Sequence, residues 1–443
     1  MLTALTAGER RRASGPECLR QRHSAGQLTT EEGLDAVMKT AHDSAGYEIP
    51  FAHRLEYLEK VALLIESQRE EFLRILSESS NHRTAAEEIE ASLAALDGAR
   101  DEVLRFQPPG IGQLAVFMPS NIPLYGYVMN VLIPSLYTER VVFRPSGRIR
   151  SQTQALHELA GTVHGLPVEY CAAGQREFLE GEAAQADVLA FTGGFDNAEC
   201  IRRKIGKEKL FLYFGQGINP FVVTPEADVD RSVDGAIAAR MINSGQDCFG
   251  PDVFFVHASV ESEFCTLLAE RVRALKHGSH DDPTADYGSM HYLDAFETAL
   301  SHLVDNRRHV LVGGQADLTE THLTPTVLLR PPESKARPTE LFAPIFDVVP
   351  YSSEEWLRST LNHQYFEERA LGATVYGDDP DLVRMLRSRH MVSVNETLLD
   401  MENGNEPFGG TGVRANYASI QGVRHTEPLL ISKAVADHLA GLR

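Results

Sequence analysis

The sequence predicts an α/β protein made of two parallel-sheet blocks. Two observations carry this. From about residue 114 onward, short apolar runs alternate with longer segments of mixed character. Strand–helix–strand repeats at that spacing imply βαβ units, a parallel sheet and helices on both faces. The composition, 43% apolar and 23% charged over 443 residues, is that of a globular chain long enough for two or three domains.

In chain order, residues 1–28 lack periodicity and read as an N-terminal arm. From Pro50 to Ser79, Leu55, Leu58, Val61, Leu64 and Ile65 recur at helical spacing. Ile89, Leu93, Leu96, Val103 and Leu104 do the same between Ala86 and Phe106, and Pro108-Pro109-Gly110 stops that helix. Strands follow at Leu114–Met118, Arg140–Phe143, Pro167–Cys171, Asp187–Phe191 and Lys209–Phe214. A second block, from about Phe221 to Asn395, carries strands at Val253–Val256, Val310–Val312, Thr326–Leu329, Asp347–Pro350, Ala373–Tyr376 and Val392–Val394. Pro428–Ser432 reads as a lone strand free to join another sheet. The boundaries that follow are 29–218 for the first domain, with part of 396–427 packing on it, 219–395 for the second, and 428–443 for a C-terminal strand and tail.

Net charge is −20, with 62 acidic and 42 basic side chains. Such a chain has no excess of cations to displace counterions, which argues against a nucleic-acid partner. Five scattered cysteines without a CxxC or His/Cys cluster read as reduced thiols, with no metal site. No apolar run reaches the roughly 18–20 residues of a membrane span. Arg10, Arg11 and Arg12 follow the short apolar start instead of preceding it, unlike a secretion signal. These features suggest a cytoplasmic protein with no membrane partner.

Five segments carry chemistry. Cys248 ends Asn243-Ser-Gly-Gln-Asp-Cys248, where small residues precede the thiol. A cysteine attacks a carbonyl only as a thiolate. Most isolated cysteines are inert and buried, and Cys18, Cys171, Cys200 and Cys265 are read that way. Asn121, in Pro119-Ser-Asn121-Ile-Pro123, directly follows a strand. Its amide can donate to an oxyanion together with the Cys248 N–H, or simply serve a turn. Thr192-Gly193-Gly194 ends a strand before an expected helix, Asp196 to Ile205, whose N-terminus suits a pyrophosphate. Glu340-Leu-Phe342-Ala-Pro344 comes last, followed by Pro407-Phe-Gly409-Gly410.

In chain order and at their spacings, these segments resemble the aldehyde dehydrogenase superfamily over roughly residues 30–435. The resemblance implies a Rossmann-like cofactor domain, then a catalytic domain, with Cys248 at their cleft. It implies that Cys248 is the nucleophile and Asn121 an oxyanion donor. Glu340 then binds the nicotinamide ribose and Phe342 supports the ring, while Asn395 and the Pro407–Gly410 turn lie near the substrate mouth. The family usually reads Lys-Pro-Ser-Glu where this chain has Arg144-Pro145-Ser146-Gly147. Losing that carboxylate removes repulsion against a 2′-phosphate, which Arg144 and Arg148 can pair with, so NADP is favoured over NAD. Leu124, Tyr125, Asp247 and Phe249 flank Asn121 and Cys248 in sequence and are expected to line the substrate tunnel. Asp247 beside the nucleophile hints at a polar or cationic substrate.

One departure bears on the reaction. The family's Glu-Leu-Gly-Gly-x-x-Pro segment is here Leu212-Tyr-Phe-Gly-Gln-Gly-Ile-Asn-Pro220, so its base glutamate falls on Tyr213 or Phe214. Without a carboxylate, water attack on a thioester loses a general base worth roughly 10²–10⁴-fold. A thiol acceptor needs less help, which favours coenzyme A or a carrier-bound thioester as co-substrate, in either direction. A hydrolytic dehydrogenase with a replacement base, such as Glu396 or Glu406, is the second reading. A non-catalytic cofactor-binding scaffold is a third. A cysteine hydrolase lacks a histidine partner and leaves the cofactor segments unexplained. Only Phe106–Gln113 stands where the family carries an oligomerisation hairpin, so a homodimer is expected instead of the common tetramer.

Overall fold

The computed structural model describes residues 49–335 and 337–440; the N-terminal arm and Cys18 lie outside them. The strands are β1 (Ile111–Phe117), β2 (Thr138–Arg144), β3 (Val168–Tyr170), β4 (Val188–Thr192), β5 (Leu210–Phe214), β6 (Pro220–Val223), β7 (Val253–His257), β8 (Val310–Val312), β9 (Ala316–Asp317), β10 (His322–Leu323), β11 (Thr326–Leu329), β12 (Ile345–Tyr351), β13 (Gly372–Tyr376), β14 (Met391–Val394), β15 (Asn416–Ile420) and β16 (Val423–His425). They form two seven-stranded sheets, ordered β16-β15-β5-β4-β1-β2-β3 and β14-β13-β6-β7-β12-β11-β8, and one small hairpin of β9 and β10. The first sheet is parallel from β3 to β5, and β15 and β16 add antiparallel at its edge. The second is parallel except for β8. The α/β class with two parallel-dominated sheets is therefore as the sequence predicts.

Alternation along the strands explains the layering. Leu114, Val116, Val141, Phe143, Val188, Ala190, Leu210 and Leu212 face one core with the N-terminal helices. Ala115, Phe117, Val142, Leu189, Phe191, Phe211 and Tyr213 face the other. In the second sheet Phe221, Val223, Phe254 and Val256 face one side, and Val222, Val253 and Phe255 the other. Both faces are covered, so the strands read as continuous apolar runs.

The N-terminal helices span Phe51–Ser67, Arg69–Leu76 and His82–Phe106. The third starts four residues before the expected Ala86, because Asn81 caps it: its side chain accepts from Thr84 N at 2.8 Å. Gln107 ends it in the left-handed region, and β1 opens at Ile111. No hairpin intervenes.

One reading changes, and two strands escape the sequence. Pro428–Ser432 is not a strand. Leu429 makes one antiparallel bridge with Phe408, and a helix then runs from Ile431 to Leu439. Ile431, Ala434, Val435 and Leu439 repeat at helical spacing and enter the first core, so burial selects helix. Strand β6 begins on Pro220 and has only four residues, all buried. Strand β15 mixes Asn416 and Ser419 with apolar residues, and its partner β5 lies some 200 positions away in the chain, so short-range pattern does not reveal it. Among the described residues, no helix is long and apolar enough to cross a membrane.

Candidate active site

Register brings the first sheet's strand ends together: Phe117 lies beside Arg144 and Phe191, and Thr192 beside Phe214. Loops leaving these ends line one cleft of about 740 Å³, closed on its far side by the second sheet's loops. Gly193 has φ +150°, and its N–H donates to Phe214 O at 3.0 Å. A Cβ there would meet the Phe191 ring at 3.1 Å. Gly194 then opens the helix Phe195–Arg202. Backbone this bare at a helix start admits a pyrophosphate.

The rest of this half also fits a dinucleotide. Arg144 donates through Nε to Ala173 O at 3.0 Å and stands over the Phe117 ring. Beside it, a Cβ on Gly147 would meet nothing within 4 Å. The Ser146 hydroxyl accepts from Arg148 N at 3.4 Å. Arg148 pairs with Asp294 at 2.6 Å and stands 5.3 Å from the Tyr292 ring, so its charge is already engaged. Glu340 Oε2 accepts from Gln216 Nε2 at 2.7 Å, while Oε1 is buried without a partner. An orphaned buried acceptor is costly, and a ribose hydroxyl would satisfy it. Phe342 lines the same wall with φ +43°.

The cysteine loop is a tightly bent segment. Helix Val229–Arg240, capped by Asp228, gives way to three residues in the left-handed region: Asn243 (φ 44°), Ser244 (φ 57°) and Gly245 (φ 85°). Arg240, only 2% exposed, fastens the bend. It donates to Ala343 O at 2.6 and 2.9 Å, to Gly245 O at 2.8 Å and to Pro251 O at 3.0 Å. A Cβ on Gly245 would meet Ala343 C at 2.3 Å. Asn219 holds the far side, donating to Cys248 O at 2.7 Å and accepting from Gly372 N at 2.9 Å. Tyr292 joins this loop to the Asn121 loop: its N–H donates to Gln246 Oε1 at 3.0 Å and its hydroxyl to Ser120 O at 2.6 Å. Two loops from different sheets are thus held in one register. Burial pushes the Cys248 thiol well above its ordinary range, and the charges of Asp247, Glu402 and Glu340 add to that.

The cleft brings together Cys248, Asn121, Arg144, Ser146, Arg148, Thr192, Gly193, Gly194, Glu340, Phe342, Tyr125, Asp247 and Phe249. Leu124 is the exception: it is 2% exposed and packs in the first core. In the short helix Pro123–Tyr127, consecutive side chains point about 100° apart, so Tyr125 faces the cleft and Leu124 does not. Asn395 also lies elsewhere, with its side chain accepting from Gly377 N at 2.8 Å. Pro407 and Phe408 do line the cleft, and Phe408 stacks on Phe249 at 4.4 Å.

At the end of β5, Tyr213 is fully buried and its hydroxyl donates to Arg414 O at 3.0 Å, whereas Phe214 faces the cleft. Neither supplies a carboxylate. Glu396 does not line the cleft, and Glu406 lines it but is tied to Arg105 at 2.6 Å. Besides Asp247 and Glu340, the carboxyl in the cleft whose charge is felt at Cys248 is Glu402. Sequence reasoning missed it, along with Arg240, Tyr292 and Glu88. Glu88 accepts at Oε1 from Leu124 N (2.7 Å) and Tyr125 N (3.0 Å), and leaves Oε2 unpartnered. Nothing local in the sequence marks these four, because each acts across long chain separations.

A profile described as the aldehyde dehydrogenase family matches residues 20–416. A lactaldehyde dehydrogenase of Methanocaldococcus jannaschii is 24% identical over 90% of this chain and 90% of the relative. A probable NADP+ succinate-semialdehyde dehydrogenase of Synechocystis sp. is 25% identical over 87% of this chain and 89% of the relative. Among solved structures, a succinic semialdehyde dehydrogenase from Streptococcus pyogenes in complex with NADP+ superposes with a TM-score of 0.77 at 18% identity, covering 91% of this chain and 96% of that one. Together with two parallel-dominated sheets and a cysteine loop at the cleft between them, these likenesses mean that the chain belongs to the aldehyde dehydrogenase family and is an NAD(P)-dependent oxidoreductase.

Proposed function

We propose that this chain oxidises a small-molecule aldehyde to its acid through Cys248, with NADP as the preferred cofactor. One observation carries the reading: the Cys248 thiol and the Asn121 amide line the same cleft as Glu340, whose Oε1 waits for a hydroxyl. The Cys248 thiolate adds to the aldehyde carbon. The oxyanion so formed takes hydrogen bonds from the Asn121 amide and the Cys248 N–H, which stabilise charge only as it develops. The bound nicotinamide supplies the hydride acceptor. The acyl group is left on sulfur as a thioester, which the acceptor then releases.

Arg144, Ser146, Thr192, Gly193, Gly194, Glu340 and Phe342 would hold the cofactor. The preference for NADP rests on Arg144, whose terminal nitrogens have no hydrogen-bond partner among the described residues, and on the open space at Gly147. Arg148 contributes less directly than its sequence position suggests, since Asp294 already neutralises it. Relatives described with NADP support the same preference.

Water is the acceptor we favour. The thioester reading, with coenzyme A or a carrier protein, rested on the lack of a carboxylate at Tyr213 and Phe214, and Glu402 removes that ground. The relatives are named as lactaldehyde and semialdehyde dehydrogenases, and those names mention no thiol co-substrate. The enzyme is further proposed to work as a cytoplasmic homodimer. The lack of a hairpin between Gln107 and Ile111 supports this by removing the usual tetramer contact, and a sedimentation mass equal to one chain would refute it.

Reduced-nicotinamide absorbance tests the function directly. The panel is propanal, lactaldehyde and succinate semialdehyde with NADP+ or NAD+, with and without coenzyme A, against Cys248→Ala as the blank. Turnover without coenzyme A, lost in Cys248→Ala, is expected. Turnover only with the thiol would restore the acylating reading. No turnover and no reaction of Cys248 with iodoacetamide would favour the scaffold.

A further inference from the structure

The end of β5 brings no base to the cleft, yet deacylation by water needs one. Among the carboxyls lining the cleft, those whose charges reach Cys248 come from three elements: Asp247 on its own loop, Glu340 on the cofactor wall and Glu402 on the loop 398–408. Asp247 is turned into its own loop, accepting from Phe249 N at 2.8 Å. Glu340 is engaged by Gln216 and belongs to the ribose site. Glu402 has no hydrogen bond or ion pair from its carboxyl among the described residues, although it lines the cleft.

The loop that carries Glu402 is braced. Thr397 and Asp400 form a capping box around the helix Leu398–Met401, which Glu402 ends. Asn405 donates to Ala95 O at 3.1 Å and to Glu102 Oε2 at 2.9 Å. Arg105 donates to Asn405 O at 2.8 Å and pairs with Glu406. Phe408 stacks on Phe249, the residue after the nucleophile. Gly404 lies so close to Tyr125 that a Cβ would come within 2.8 Å of its hydroxyl. An unpaired carboxyl on a loop tied at both ends is positioned, which catalytic groups require.

We infer that Glu402 is the general base that activates the deacylating water, supplied from the loop 398–408 instead of from the end of β5. The inference rests on Cys248 being the nucleophile. The water oxygen bonds to the thioester carbon while one water proton passes to the Glu402 carboxylate. The C–S bond breaks, sulfur leaves as thiolate, and the acid is released. Glu402 then returns its proton to solvent. Glu402 is exposed as a residue, yet desolvation of its carboxyl where it faces the cleft, together with the charge of Asp247, pushes it up to about 8, and its charge in turn reaches Cys248 and Tyr125. A base tuned towards neutral pH is effective once deprotonated.

p-Nitrophenyl acetate tests this without cofactor or a known aldehyde. It acetylates a reactive cysteine, releasing p-nitrophenolate, and the acetyl-cysteine then needs water. In Glu402→Gln the nitrophenolate burst should persist. Steady turnover should fall by roughly 10²–10⁴-fold, and intact-mass spectra should show acetyl-Cys248 accumulating. Added 2-mercaptoethanol, a thiol acceptor, should restore release. Glu402→Asp should retain part of the rate, and Glu396→Gln should match wild type. Wild-type deacylation should rise with pH to a plateau above about 8, and this rise should be absent in Glu402→Gln. Deacylation within threefold of wild type in Glu402→Gln would overturn the inference while leaving Cys248 in place. A burst lost along with turnover would overturn it too, by putting Glu402 before the thioester. No burst in wild type would strike the Cys248 reading itself.

Discussion

Single side chains set the electrostatics of this site. Glu88 is 6% exposed, with one oxygen satisfied by Leu124 N and Tyr125 N and the other bare. Burial raises it to about 7, against the two backbone hydrogen bonds that lower it. The folded protein therefore holds this proton more tightly than the unfolded chain does. The stability that Glu88 contributes is fully present below the ordinary carboxylate range and is lost as pH rises through about 7. Glu88→Gln keeps an acceptor for both N–H groups and removes the buried charge. It should be more stable than wild type at pH 8 by at most about 3 kcal/mol, with the gap narrowing towards pH 5. Urea unfolding at the two pH values measures it, and an equal gap at both would refute the account. Asn121→Ala should cost roughly 10²–10³ in kcat with little change in cofactor binding, as expected for a lost oxyanion donor. An unchanged kcat would reduce Asn121 to a turn residue.

At the scale of elements, the cysteine loop is shaped by its contact with the Glu340–Pro344 segment. Arg240 joins the two, and Gly245 lets their backbones touch. Gly245→Ala puts a Cβ at φ +85° against the Ala343 carbonyl. Left-handed backbone alone costs an L-residue about 1–2 kcal/mol, and the overlap adds to it. The variant should lose at least about 2 kcal/mol in denaturant unfolding and should lose Cys248 reactivity with p-nitrophenyl acetate more than it loses NADP+ binding. Equal loss of both would mean that the whole element unfolds. The same scale explains the misread C-terminus. Pro428–Ser432 looks like a strand because it is short and apolar, but Ile431 and Ser432 open a helix that runs to Leu439.

At the scale of the molecule, the cleft exists because two sheets point their loops at each other. Arg148–Asp294 and Tyr292–Ser120 are contacts across it. A ligand that binds only the closed pair should stabilise the whole fold. NADP+ at a hundred times its Kd should add about 2.7 kcal/mol, seen as a rise in Tm by scanning fluorimetry, and NAD+ at the same concentration should add less. Arg144→Ala should erase that difference. An equal shift with both cofactors in wild type would remove the case for NADP.

Much of this was legible in the chain itself. Apolar runs such as Val141–Phe143 and Val253–Val256 mark buried strands, because a strand covered on both faces is mostly apolar. The small residues before Cys248 stand out in the chain, and the structure turns Asn243, Ser244 and Gly245 into the left-handed region. Asn121 and Thr192–Gly194 directly follow or end their strands, so strand direction alone sends them to one edge of the sheet. What needed the tertiary structure is whatever depends on where distant chain segments come to lie. Strand β15 finds β5, Asp294 claims Arg148, and the charge of Glu402 reaches the thiol, whereas Glu396 lies outside the cleft and Glu406, though lining it, is tied to Arg105. Leu124 and Tyr125, adjacent in the chain, part company by one helical step. The local sequence determines backbone shape and burial, because those depend on neighbours. Which carboxyl meets the cysteine is decided by packing between segments that the chain brings together only when folded.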